Sequence, residues 1–309
     1  MASSADLSSP RVGIEICSTK LRAVVLGASD KVELARTVLL TPDAALVEQV
    51  AAFIEGIRHK TAGFTSGGVA VPGLVDKKTG RVAYSANMPQ NAAVDLVAEI
   101  KRACGVDLYI ENDANAAAYG EYKLGAGRGS KHLFYATLGE GIGGAFIFDG
   151  KLWRGAAGFA GEFGYVPINS EGIKLEEVAS AANVVRRTKE RFHQDSTSSL
   201  KSLPDHTITL DAIIDAAQNN DDFAQLMLQR TGLYVGTAIA SVIDLLNIEK
   251  IVVGGAIMRA QDVVIEAITE RAKEMTFGPA FASTTILAGE LGENAAAVGV
   301  AFLAAETIL

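Results

Sequence analysis

The sequence predicts a mixed α/β protein built as two similar halves, and three observations carry that reading. The chain has 309 residues, of which 49% are hydrophobic and 21% charged, enough apolar material for two domains with their own cores. Strand-type and helix-type runs alternate as βββ-α-β-α-β-α over the first third, and a similar order restarts at His132. Each half contains a strand, a bend of glycine or small residues, and a second strand: GIEICSTKLRAVVL in the first and YATLGEGIGGAFIF in the second. This arrangement predicts a duplicated α/β unit with a cleft between the halves; the alternative is one doubly wound sheet.

The elements follow in order. RVGIEI, LRAVVLGA and KVELARTVLL are short β-type runs with turns between them and predict a meander. TPDAALVEQVAAFIEGIRH predicts a helix capped by Thr41, with Pro42 at its first position and Leu46, Val50, Ile54 and Ile57 on its buried stripe. GGVAVPG (67–73) predicts a strand ending in a Pro-Gly turn, followed by a helix over 93–104, a strand over 106–112 and an Ala-rich helix over 113–124. HLFYATLG, GGAFIFDG and KLWRG form a second set of three strands. A helical stretch at 175–192 leads into a Ser-rich loop, QDSTSSLKSLPDH, and then a long helix over 222–247. A strand at 251–256, a helix over 261–275, the strand TTILAGE and a helix over 293–305 complete the chain.

Composition narrows the function. A net charge of −8 argues against nucleic-acid and anionic membrane-surface partners, so an anionic ligand has to be held by local dipoles or a metal ion. Cys17 and Cys104 lie far apart in apolar context and predict free thiols in a reducing compartment. The opening MASSADLSSPR lacks the apolar core of a signal peptide, and no uninterrupted apolar run approaches a membrane span. The expected location is cytoplasmic.

Six stretches carry candidate chemistry. In GIEICSTK (13–20), the small residues after the strand offer N–H and hydroxyl donors to a phosphate, and Glu15 offers a carboxylate to Mg²⁺ through water; the plainer reading is a hairpin with a solvated acid. In VPGLVDKKTGRVAYSANMP, Gly73 allows a close backbone approach and Asn87 presents both donor and acceptor to a sugar hydroxyl, or merely caps a turn. In IENDANAAAYGE, Asn112 and Asp113 stand where a strand ends and a helix begins, the place where open α/β sheets collect ligands. Asp113 there can accept the proton of an alcohol attacking a phosphoryl group, or act as an N-cap. In TLGEGIGGAF, Gly139, Gly141 and Gly143 bring bare backbone to a bend that also carries Glu140. Glu162 and Glu176 are paired acids suited to vicinal hydroxyls, or else solvated surface, and Gly254-Gly255 after a strand can receive a nucleotide.

Taken together and in this order, GIEICSTK, GGVAVPGLVD, NMP, IENDANAAAYGE, TLGEGIGGAFIFDGKLWRG, AGEFGY, LEEVASAA and IVVGGAI resemble the ROK family, especially its glucokinase-like sugar kinases. The resemblance covers roughly residues 12–305. It implies a duplicated actin-like, ribonuclease-H-like ATPase fold: a smaller domain over 1–115, completed by a C-terminal helix near 293–309, and a larger one over 116–292. It implies ATP with Mg²⁺ as phosphoryl donor, a hexose as acceptor, Asp113 as catalytic base, and Gly73, Asn87, Asn112, Glu162, Tyr165 and Glu176 on the sugar. Glu15, Ser18, Thr19, Lys20, Gly139, Glu140, Gly141, Gly143, Gly254 and Gly255 fall on the nucleotide side. A homodimer is expected, with the helix at 222–247 as a candidate face.

Three departures set this chain apart. Family kinases carry a His where Tyr165 stands, followed by a Cys-rich zinc loop; here the loop is VPINSEGIK, with Lys174 where its last Cys would be, so no structural zinc is expected. The acid of the first phosphate bend is Glu15 rather than Asp, and Cys17-Ser18 replace a Gly-Gly. Glu140 stands where kinases have Thr. A carboxylate about 4 Å from a phosphate charge costs about 4 kcal/mol at an effective dielectric of about 20, about a thousandfold in affinity. Mg²⁺ lies between the charges, Glu140 turns outward, or the chain binds ATP poorly. Phosphorylation of a hexose hydroxyl is the favoured expectation. The alternative is a degenerate, non-catalytic sugar-binding relative. A repressor is disfavoured, since about eleven residues precede the first strand.

Overall fold

A computed structural model gives the structure of the chain and describes residues 10–61, 63–76, 79–85, 95–194 and 197–308. The chain divides into two units. The first comprises residues up to Arg128, Leu152–Ala160 and Glu293 onward, and the second Gly129–Lys151 and Gly161–Gly292.

In the first unit, β1 (Arg11–Ile16), β2 (Lys20–Leu26) and β3 (Val32–Leu39) form the expected antiparallel meander. Helix α1 (Leu46–Arg58) leads to β4 (Ser66–Val71), a small hairpin of β5 (Leu74–Asp76) and β6 (Arg81–Tyr84), α2 (Leu96–Cys104), β7 (Asp107–Asn112) and α3 (Asp113–Leu124). The sheet order is β3-β2-β1-β4-β7, with β4 parallel to both β1 and β7. Strand periodicity sorts the side chains: Val12, Ile14, Ile16, Val69 and Val71 join the α1 stripe of Val50, Phe53, Ile54 and Ile57 in one core.

Thr41 does not cap α1. Asp43 takes a left-handed φ of 64°, which a helix cannot continue through, so residues 41–44 form a turn and α1 begins at Leu46. Gln49 folds back instead, accepting from the Thr41 N–H at 2.7 Å and donating to the Thr41 carbonyl at 3.2 Å.

The opposite sheet face is shaped for close backbone contact. Helix α10 (Ala295–Ile308) packs against α3, β1 and β4. A Cβ on Gly299 would stand 1.7 Å from the Ala116 carbonyl oxygen of α3, and one on Gly13 would stand 1.8 Å from that of Ala297. Only glycine permits this approach.

The second unit repeats the plan with β8 (Leu133–Leu138) and β9 (Ile142–Phe148); β10 (Lys151–Trp153) starts at Lys151, the last residue of that segment of the unit. Helices α4 (Glu176–Ala179), α5 (Ala181–Lys189), α6 (Leu210–Gln218) and α7 (Asp222–Leu246) precede β11 (Lys250–Gly254), α8 (Gln261–Met275), α9 (Gly278–Ala282) and β12 (Thr285–Ala288). The sheet order β10-β9-β8-β11-β12 matches that of the first unit, with β8 antiparallel to β9 and parallel to β11. This shared order is the duplication that the sequence predicts. Helix α7 is long and apolar enough by composition to span a membrane, but 61% of its most apolar stretch is buried, as in the core helix it forms here. Helices α6 and α9 are additions to the expected elements.

The seam between α10 and α3 gives the first prediction. Gly299→Ala is expected to lower unfolding free energy by about 1–3 kcal/mol, the usual cost of overpacking, read as a lower urea midpoint. An unchanged midpoint would contradict the close approach.

Candidate active site

The corner between β7 and α3 is built by one side chain. Asn112 ends the strand in an extended conformation and caps the helix, its Oδ1 accepting from the Asn115 N–H at 2.9 Å. Its Nδ2 donates to the Gly73 carbonyl at 2.9 Å and to Asp113 Oδ1 at 3.0 Å. Asp113 is therefore the first helical residue and not the cap. Its Oδ1 also accepts from the Ala114 N–H at 2.9 Å, at the helix end whose dipole favours negative charge. Gly73 has φ 112°, and a Cβ there would stand 2.2 Å from the Tyr84 carbonyl oxygen, so the position requires glycine. Asn87 lies outside the described residues.

Beneath this corner lies a network that the sequence reading did not single out. Glu111, 1% exposed, accepts through Oε1 from the Asn112 N–H at 3.1 Å and Asn115 Nδ2 at 3.2 Å. Its Oε2 accepts from Arg154 Nη2 at 2.6 Å and the Tyr109 hydroxyl at 2.9 Å. Burial, then the Glu111 charge, pushes the Tyr109 phenol up from its ordinary pKa, so Tyr109 remains a donor. The available signal was a carboxylate inside an apolar strand, which demands a partner.

The first bend, also in the first unit, is tied into a set of charged side chains. Cys17 N–H donates to the Lys20 carbonyl at 2.9 Å, closing the turn that places Ser18 and Thr19 at its tip. Glu15 Oε2 accepts from Arg22 Nη1 at 2.6 Å, and Arg22 also bonds the Glu293 carboxylate. Lys20 pairs with Glu293 at 3.4 Å. Burial raises the Glu15 pKa while Arg22 pulls it down. Glu15 thus has a cationic partner at Oε2.

In the second unit, Gly139, Glu140 and Gly141 join β8 to β9, with Gly143 just inside β9. The bend is pinned by three bonds: Gly139 N–H to the Gly141 carbonyl at 3.0 Å, Ala181 N–H to the Gly139 carbonyl at 2.8 Å, and Ile142 N–H to Glu176 Oε2 at 2.8 Å. Glu140 is exposed on this bend. Glu176, the first residue of α4, also touches Glu162 electrostatically: burial, then the Glu176 charge, raises the Glu162 pKa above the ordinary carboxylate range.

Tyr165 is exposed, and Lys174 Nζ lies 4.2 Å from its ring centroid, so two of the substituted positions meet in a cation–π contact. Between them the loop closes on itself: Ile168 N–H donates to the Ile173 carbonyl at 2.9 Å, Leu175 N–H to the Val166 carbonyl at 3.0 Å, and Pro167 bridges Lys174. Gly254 and Gly255 are closely packed. A Cβ on Gly254 would stand 2.3 Å from the Tyr135 hydroxyl, and one on Gly255 2.4 Å from the Leu138 carbonyl oxygen.

Two units with matching sheets, each carrying a strand-bend-strand element, define the actin-like ATPase fold in two domains. A ROK family model matches residues 11–307, and the chain belongs to the ROK family. It is 33% identical over 252 residues to the glucokinase of Thermotoga maritima, covering 78% of this chain and 79% of that protein. It is 29% identical over 266 residues to the xylose repressor of Bacillus spizizenii, covering 85% of this chain and 67% of the repressor. Among solved structures, a ROK family glucokinase from Streptomyces griseus in complex with glucose and AMPPNP matches with a TM-score of 0.88 at 27% identity, over 96% of this chain and 100% of that one.

The Glu162–Glu176 pair makes a prediction of definite sign. A carboxyl with a raised folded pKa binds more protons folded than unfolded, so its contribution to stability is lost as pH rises through the carboxylate range. Glu162→Gln is therefore expected to raise Tm at pH 7, with the gain vanishing below the ordinary carboxylate range. A Tm lowered by the substitution at pH 7 would contradict the repulsion.

Proposed function

We propose that this chain is an ATP-dependent sugar kinase, glucokinase-like, that phosphorylates a hexose hydroxyl. The observation that carries the proposal is the β7–α3 corner, where Asn112 takes the cap and Asp113 presents a carboxylate at the helix start. Membership of the ROK family, similarity to proteins named glucokinase, and likeness to a structure holding glucose and AMPPNP support it.

In this reading Asp113 takes the proton of the attacking hydroxyl, whose oxygen bonds to the terminal phosphorus of ATP while the bond to the ADP oxygen breaks. Asn112 holds Asp113 and the Gly73 carbonyl in one hydrogen-bonded set. Glu162, Glu176 and Tyr165 supply acceptors and a hydroxyl for the sugar, with Gly73, Asn87 and Asn112. Ser18, Thr19 and Lys20, with the bend from Gly139 to Gly143 and Gly254-Gly255, face the nucleotide. Magnesium enters with the nucleotide as part of the substrate and screens its phosphates. Glu15 has Oε2 paired with Arg22 and would act from the same bend.

The proposal includes a cytoplasmic homodimer and a loop that needs no structural zinc, its closure over 166–175 being made by backbone bonds. A second reading, a sugar-binding relative without turnover, is favoured by Glu15 being paired with Arg22 and by Glu140 standing in the glycine bend.

ADP release measured with a panel of hexoses and N-acetylhexosamines separates the two. Kinase activity predicts sugar-dependent ADP release, a kcat reduced by about 10²–10⁴ in Asp113→Ala, and retained sugar-dependent thermal protection in that variant. Protection by sugar without ADP release in the unaltered chain would establish the second reading.

A further inference from the structure

We infer that Arg154 is a positioning residue for Asp113, acting through the buried Glu111. The two oxygens of Glu111 divide the task. Oε1 takes the Asn112 N–H and the Asn115 side chain, the first turn of α3 and its cap. Oε2 takes Arg154 Nη2 at 2.6 Å, Arg154 Nε at 3.3 Å and the Tyr109 hydroxyl at 2.9 Å. A charged carboxylate that is 1% exposed needs compensation, and a cation offers the strongest. Arg154 is that cation, and its guanidinium reaches two acceptors at once, since Nη2 also lies 3.4 Å from the Tyr109 hydroxyl.

Arg154 sits in the stretch Leu152–Ala160, which belongs to the first unit although its sequence neighbours on both sides belong to the second. Within the first unit the stretch turns on itself, with the Ala160 N–H bonded to the Arg154 carbonyl at 3.0 Å and Gly155 at φ 69°. The guanidinium therefore comes from a segment with its own closure. The chain of contacts runs Arg154, Glu111, Asn112, Asp113. If Arg154 is removed, Glu111 loses its cationic partner and keeps neutral donors, the Asn112 N–H, the Asn115 side chain and the Tyr109 hydroxyl, which compensate its buried charge less well. A Glu111 carboxyl that is protonated or displaced accepts more weakly through Oε1, and the corner that orients Asp113 is held less firmly.

The inference rests on the kinase reading only for its catalytic readout, so the test uses two readouts. Arg154→Ala, Arg154→Lys and the core control Ile54→Val are compared at matched fractions folded. The first readout is hydrogen exchange across residues 109–116. Arg154→Ala is expected to speed exchange there at least tenfold, Arg154→Lys less, and Ile54→Val only in proportion to its loss of global stability. The second is steady-state kinetics with D-glucose and ATP–Mg²⁺, or with whichever hexose gives ADP release in the unaltered chain. Arg154→Ala is expected to lower kcat at least tenfold with KM for sugar changed less than threefold, and Arg154→Lys to recover part of kcat. Unchanged exchange over 109–116 in Arg154→Ala, or a folded variant with the parent kcat, would overturn the inference. If the parent turns over no sugar while exchange responds as expected, the kinase reading fails and the positioning role stands.

Discussion

A strand buried in a sheet cannot run directly into a helix unless the first helical N–H groups find acceptors. At the end of β7 one amide side chain meets that requirement. Asn112 accepts from Asn115 N–H, donates to Gly73 and donates to Asp113, so strand end, turn and helix start are tied at a single residue. Because Asn112 supplies the cap, the neighbouring acid stands one position into the helix, oriented by bonds to its own Oδ1. The chemistry proposed for Asp113 depends on this division of labour, which in turn depends on the Glu111 carboxylate beneath it.

The two units show how one scaffold takes different bends. Both sheets have the same strand order, and in each an early antiparallel pair carries a turn at its tip. In the first unit that turn is stiffened by charge: Glu15, Arg22, Lys20 and Glu293 form a linked set. In the second it is stiffened by backbone bonds and by Glu176, whose carboxylate accepts the Ile142 N–H. The largely buried Glu15–Arg22 pair in that set is sensitive to the loss of either member, whereas backbone bonds tolerate side-chain change. The loop from Val166 to Leu175 follows the second pattern, closing by hydrogen bonds with Lys174 laid over Tyr165.

Much of the architecture was legible in the sequence because periodicity was strong: the meander, β4, β7, α3 and α8 all stand where alternation or the helical repeat places them. The start of α1 was not, because Thr41-Pro42 imitates a cap and first turn while Asp43 adopts a left-handed conformation that no pattern announces. Helix α6 was hidden behind a Ser-rich run, although Thr209 accepts from the Ala212 N–H and was readable as its cap. In the site, the motif around Asp113 was visible as letters, but its partners were not. Glu111 and Arg154 are 43 residues apart, and only the folded chain brings them to 2.6 Å. The pairing of Glu15 with Arg22 was likewise out of reach, since it depends on the register of β1 against β2.

The most direct measurement is a crystal structure of the chain with a bound hexose, the sugar chosen by its thermal protection of the protein. The account predicts an Asp113 carboxylate oxygen within hydrogen-bond distance of a sugar hydroxyl, with the Asn112 bonds to Gly73 and Asp113 retained. A bound sugar with no hydroxyl within reach of Asp113 would contradict it.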